Sequence, residues 1–144
     1  MDRRSFLISG VAFALTASAQ TERPKLDVAV TYTGSGTVDE SHKVFIAVWD
    51  TPDFVKGDTG GPPIAIQGVT GKSDTAHFDS LAKGTVYVSM VYDPTGKWDA
   101  ASQPPSGSSL GLYSTEPGTP AAVKLEAGKT TKISASFDDS QKMP

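Results

Sequence analysis

The chain has 144 residues, 38% hydrophobic and 20% charged, with a formal net charge of −3 and no cysteine. The missing thiols exclude disulfides, thiol catalysis, zinc–thiolate sites and iron–sulfur clusters. Beyond Arg3-Arg4 the basic residues are scattered singly, which excludes the concentrated basic face that nucleic acid requires and offers little to an anionic lipid surface.

Residues 1–19 have the form of an export leader. Asp2-Arg3-Arg4 is charged, residues 6–15 (FLISGVAFAL) are apolar, and Ala17-Ser18-Ala19 is a small-x-small cleavage sequence. The apolar run is too short to span a bilayer, which takes about 20 such residues, so no integral membrane segment is expected after cleavage. Arg3-Arg4-Ser5-Phe6-Leu7 resembles the twin-arginine signature, with Asp2 and Ile8 departing from it. That resemblance implies a bacterial protein exported to the periplasm or beyond, and folded before export; a Sec leader can also begin with two basic residues. Cleavage leaves residues 20–144, the length of one domain, and moves the net charge from −3 to −4 by removing Asp2, Arg3 and Arg4.

From there the hydrophobic period is two. In Lys25–Tyr32, Leu26, Val28, Val30 and Tyr32 share one face, as in a half-buried strand. Residues 33–42 form a polar link. Residues 44–49 (VFIAVW) and 86–92 (VYVSMVY) are apolar on both faces and read as central strands. Weaker strands are expected at 64–69 and 75–78, around a turn at 70–74, with a short strand near 110–113. Two long loops follow central strands, 50–63 and 93–109; connections of such length tend to be functional or disordered. Residues 121–125 and 130–137 alternate again, and the 126–129 link reads as a hairpin turn. No window has helical amphipathicity. Seven or eight short strands with Gly/Pro punctuation imply an all-β antiparallel sandwich.

The run 76–88 (AHFDSLAKGTVYV) resembles the F-x-x-L-x-x-G-x-Y-x-V signature of prealbumin-like and carboxypeptidase-regulatory-like sandwiches, carried by Phe78, Leu81, Gly84, Tyr87 and Val88. Tyr87 stands one place later than usual. Residues 44–50, 91–99 and 110–114 are similar to segments of an uncharacterised family of exported bacterial sandwiches. The resemblance implies the fold and leaves the function open, since this fold hosts many tasks. Hydroxyisourate hydrolases of the prealbumin group end in Tyr-Arg-Gly-Ser; this chain reads Lys142-Met143-Pro144 there and keeps Arg23 as its one arginine after the leader, so that activity is not implied.

Candidate site residues lie in the loops. Asp50, Asp93 and Asp99 could offer carboxylates to calcium, which takes six to eight oxygens, but Lys97 opposes a cation and Asp93-Pro94-Thr95-Gly96 reads better as a β-turn. Asp53 and Asp58 read as turn residues. His42 and His77, the two histidines, fall short of a transition-metal set without carboxylates, and His77 should point outward beside Phe78. Trp98 and Tyr113 are candidates for stacking on a sugar or a protein, with core packing as the plainer role; Trp49 belongs to the core or its rim. No cofactor and no catalytic residue is expected. The expected function is a non-catalytic exported module that binds a carbohydrate or protein partner through its long loops. The alternatives are a small hydrolase using loop Asp and His residues and a calcium-stabilised structural domain.

Overall fold

The computed structural model describes residues 22–56, 61–82 and 84–144; the leader, Asp58 and Lys83 lie outside them. Among the described residues ten strands appear in chain order: β1 Lys25–Tyr32, β2 Val44–Trp49, β3 Ala65–Val69, β4 Ser73–Phe78, β5 Gly84–Tyr92, β6 Ser109–Leu112, β7 Ser114–Glu116, β8 Thr119–Pro120, β9 Val123–Leu125 and β10 Thr130–Phe137. No helix among the described residues is long and apolar enough to cross a membrane.

The described residues are nearly all β, in two facing sheets and a small two-stranded sheet of β7 and β8. One sheet has the order β10-β1-β4 and the other β3-β2-β5-β6, with β9 pairing with the start of β5. Alternation dictates the core. Leu26, Val28, Val30 and Tyr32 of β1 meet Val44, Ile46 and Val48 of β2 and Val86, Val88, Met90 and Tyr92 of β5 in one buried cluster. Val28, Val44, Ile46, Val48, Val88 and Met90 are fully buried. Each such side chain stabilises the fold by about 1.5–3 kcal/mol relative to exposure. β2 and β5, apolar on both faces, are the central strands of their sheet, as their composition implies.

Three residues that carry the signature have distinct places. Phe78 ends β4 in the core, and Leu81 is buried below it. Gly84 opens β5 at φ 138°, a conformation that side chains resist.

Four local expectations change. Among the described residues there are ten strands where seven or eight were expected, with β7 and β8 pairing as a separate two-stranded sheet. The sandwich is not wholly antiparallel: β1 and β10 pair in parallel from Lys25↔Thr130 to Tyr32↔Phe137. A parallel pair needs a long connection, and here nearly the whole domain separates the two strands. The 126–129 link is a turn, closed by Lys129 N–H to Glu126 O at 3.2 Å, but not a hairpin. β9 pairs with β5 and β10 with β1, so this turn carries the chain from one sheet to the other. Lastly, Pro52–Lys56 forms a single 3-10 turn, too short to leave a periodic trace in the sequence.

The C-terminal segment covers an edge. Gly107 N–H donates to Met143 O, Met143 N–H to Ser108 O and Leu110 N–H to Gln141 O, each at 2.8 Å, so the outer rim of β6 is paired rather than bare. Asp139 anchors the segment. Its carboxylate accepts Tyr32 OH at 2.5 Å, Ser109 Oγ at 2.7 Å and Ser35 N–H at 3.0 Å. These bonds, Tyr32's first, hold Asp139 far below the ordinary carboxylate range. Burial, then the bond to Asp139, pushes the Tyr32 hydroxyl up to about 12.

Candidate functional site

The outward face of the five-stranded sheet is the chemically distinctive surface. Residues that alternate with the core on β2 and β5 point there: Phe45, Ala47 and Trp49, beside Val91, Ser89 and Tyr87. β3 adds Ile66 opposite Ala47, and β6 adds Leu110 and Leu112. Ala47, Ser89 and Val91 are 4%, 8% and 8% exposed yet stand outside the core cluster, so this face is already partly covered. Two loop aromatics contribute. Phe54, in the 3-10 turn, stacks on Trp49 with ring centres 4.7 Å apart and planes at 11°. Trp98 meets Phe45 edge-on, 5.0 Å apart at 84°.

Asp93 builds the loop that carries Trp98. It is 2% exposed, and its carboxylate accepts Thr95 N–H at 2.8 Å, Thr95 Oγ1 at 2.7 Å, Lys97 N–H at 3.0 Å and Trp98 N–H at 2.8 Å. Burial alone would push this carboxyl upward. The hydrogen bonds from Thr95, Trp98 and Lys97 outweigh it and hold the group below its ordinary value. Gly96 completes the turn at φ 71°, where a Cβ would also strike the Ser41 carbonyl oxygen. Trp98 then donates its Nε1–H to Ser102 O at 3.0 Å, which fixes the indole over Phe45.

A cleft of about 180 Å³ opens beside it, lined by Glu40, Ser41, Lys43, Phe45, Asp93, Gly96 and Trp98. The Glu40 and Lys43 side chains make no hydrogen bond or ion pair with another described residue. The cleft thus offers two aromatic rings, one carboxylate and one ammonium, with Asp93 engaged in its own loop.

The expected site residues are not gathered in one place. Antiparallel pairing of β2 with β5 sets Trp49 opposite Tyr87 and Val44 opposite Tyr92. Asp50 and Asp93 therefore lie at opposite ends of the sheet, about 23 Å apart along the strands, and the 50–63 and 93–109 loops do not form one end. Asp99 accepts Ala101 N–H at 2.9 Å in a local turn. Tyr113 follows β6 on the inner face, where it packs against the core, on the other side of the sheet from Trp98. Trp49 lies on the outward face, half-buried, with its Nε1–H on Ser89 Oγ at 2.9 Å.

The histidines pair with nearby carboxylates. His42 Nδ1 is 3.0 Å from Asp39 Oδ1, and that bond is the main reason Asp39 is held below its ordinary value. His77 points outward and reaches Asp27 on the neighbouring strand at 2.8 Å. Asp53 makes an ion pair with Lys56 at 3.6 Å in the 3-10 turn. Among the described residues, no group of three or more His, Asp or Glu side chains is placed to hold a metal ion.

Four residues of this surface were not singled out from the sequence: Phe45, Phe54, Glu40 and Lys43. For Phe45 the signal existed, since strict alternation along β2 puts residues 45, 47 and 49 on the face opposite the core. Phe54, Glu40 and Lys43 carry no such signal, because loop positions have no period. Compared with protein-family models, curated proteins and solved structures, the chain finds no match.

Proposed function

We propose that this protein is a non-catalytic exported module of the prealbumin-like or carboxypeptidase-regulatory-like type, which binds a carbohydrate or protein partner at the Trp98 cleft. The leader-like residues 1–19 support the export part of this reading. The Phe78-to-Val88 run and the two-sheet order support the fold type. The observation that carries the binding part is the cleft, in which Trp98 is held by Asp93 and Ser102 against Phe45 while Glu40 and Lys43 stand unpaired beside it. A rigid sheet that presents a preset loop aromatic and a few polar groups is a usual plan for a recognition surface.

The geometry gives the hydrolase alternative little support. Each histidine has one carboxylate partner, but neither pair combines with a third group in a pocket. The calcium alternative is weakened by Asp93, whose oxygens are occupied by its own loop. The direct test is Trp98→Ala, read on a glycan array and by pull-down from extracytoplasmic extract. A ligand retained by the native protein should be lost by the variant while the melting transition stays cooperative. Unchanged binding by the variant would remove the cleft from the account.

A further inference from the structure

Trp98 and Phe45 are one of two aromatic stations on the same face. The other is Trp49 with Phe54. Phe45 and Trp49 are four residues apart on β2, about 13 Å between their backbone positions along the strand, and the Trp49 indole reaches back to Ser89 between them. Between them lie Ala47 and Ser89, small side chains shaded by their taller neighbours. The surface is therefore a low track with an aromatic rise toward each end.

We infer that this track binds a neutral polysaccharide of equatorially linked sugars, laid along β2 so that separate sugar units rest on the two stations. The inference deepens the proposed function and rests on it, since it names the ligand class of the same surface. The ring faces of such sugars present axial C–H groups, which are weakly positive and pack on the negative face of an aromatic ring. Their hydroxyls project sideways, where one acceptor, Glu40, and one donor, Lys43, remain unpaired at the cleft. Those two charges cancel locally, and the chain as a whole is acidic, so a polyanion would be repelled.

Size favours the same ligand. The cleft of about 180 Å³ falls short of the roughly 300–1,000 Å³ that engulfs a small molecule. A stable protein interface, for its part, needs roughly 800 Å² per partner. A polymer needs neither, because it gathers its contacts over several shallow points. Val55 and Ile64, exposed at 46% and 45%, lie at the Trp49 end. Ile64 continues β3 through its N–H to Val48 O at 2.8 Å. The Ile64 side chain would meet any acetamido methyl groups the sugars carry.

The test uses the exported form of the chain, with insoluble cellulose and chitin as probes, followed by titration with cello- and chito-oligosaccharides from disaccharide to hexasaccharide. Retention on one or both polymers is expected, with affinity rising about tenfold or more from the shortest to the longest ligand, the factor that about 1.4 kcal/mol supplies. Trp98→Ala should abolish binding. Phe54→Ala should flatten the length dependence while sparing the disaccharide. The two polymers separate a plain hydroxylated sugar from an acetamido one. Length-independent affinity, or a Phe54→Ala variant with full length dependence, would overturn the track. A protein ligand captured through Trp98 with neither polymer retained would overturn the polysaccharide and leave the binding module standing. Retention that survives Trp98→Ala in a folded variant would overturn both.

Discussion

Ala29 and Ala47 are the same residue in equivalent positions. Each stands in the middle of its sheet's central strand and faces away from the core. Around Ala29 the neighbours are Ser134 on β10 and Thr75 on β4, with Asp27 and Thr31 beyond on the same strand. Around Ala47 they are Ser89, Ile66, Phe45 and Trp49. The first face is a shallow polar hollow over Ala29, Thr31, Ser134 and Ser136. The second is aromatic, and Ala47 there is only 4% exposed. A sandwich needs one apolar face per sheet. The three-stranded sheet has that much and no more, so its other side is left to water. The five-stranded sheet has two apolar faces, and its second is only partly covered, by Phe54 and Trp98 from the chain's own loops. That incomplete cover is the feature on which the proposed binding rests.

The sharpest way to break this comparison is to put one charge in both places. Ala47→Lys should cost more than about 3 kcal/mol or prevent folding, because the ammonium would be buried without a partner. Ala29→Lys should cost less than about 1 kcal/mol. Urea unfolding of the two variants measures both, and equal costs would show that the faces do not differ in burial.

Next in size is Asp93→Ala. Removing a buried carboxylate leaves the N–H groups of Thr95, Lys97 and Trp98 without their acceptor, for an expected loss of about 3 kcal/mol. The indole should also loosen, seen as a red shift in tryptophan emission. Phe54→Ala should cost about 1 kcal/mol, the scale of an aromatic pair. His77→Ala on the polar face removes only an exposed pair with Asp27 and should change stability by less than about 0.5 kcal/mol.

Acid should act on Asp93 and Asp139, the two lowered carboxyls whose hydrogen bonds hold the Trp98 loop and the C-terminal segment. Both carboxyls are held below their ordinary value in the folded chain. Their contribution is therefore present above the unfolded carboxylate pKa of about 3.9 and is lost as pH falls through the lowered folded values. The melting temperature should drop below about pH 4, and Asp93→Asn or Asp139→Asn should make that drop shallower. Tyr32 works in the opposite direction. Its folded pKa is raised to about 12, so its contribution is complete below the unfolded value of about 10 and is lost as pH rises toward 12. Tyr32→Phe should flatten that alkaline limb.

Much of the scaffold was legible in the residues. The limits of β1, β2 and β10 and the inward faces of β1, β9 and β10 follow from alternation, and the double-sided strands β2 and β5 follow from their composition. Strand period is a local property, so a local reading finds it. The outward pose of His77 beside Phe78 follows for the same reason. Asp93 as a turn-former was also legible, since an Asp-Pro-Thr-Gly sequence closes on itself within five residues.

What only the tertiary structure decided is where those strands go and what the loops do. The parallel pairing of β1 with β10 joins residues more than a hundred positions apart, and nothing near either strand specifies it. Whether a turn makes a hairpin or crosses between sheets depends on which strand edges are free, which is why the 126–129 link misleads. Most consequentially, the 50–63 and 93–109 loops leave from opposite ends of the sheet and still lay Phe54 and Trp98 on one face. Their length and aromatic content can be read from the chain. Their convergence cannot, because it is set by the apolar surface that β2 and β5 create only once they are paired.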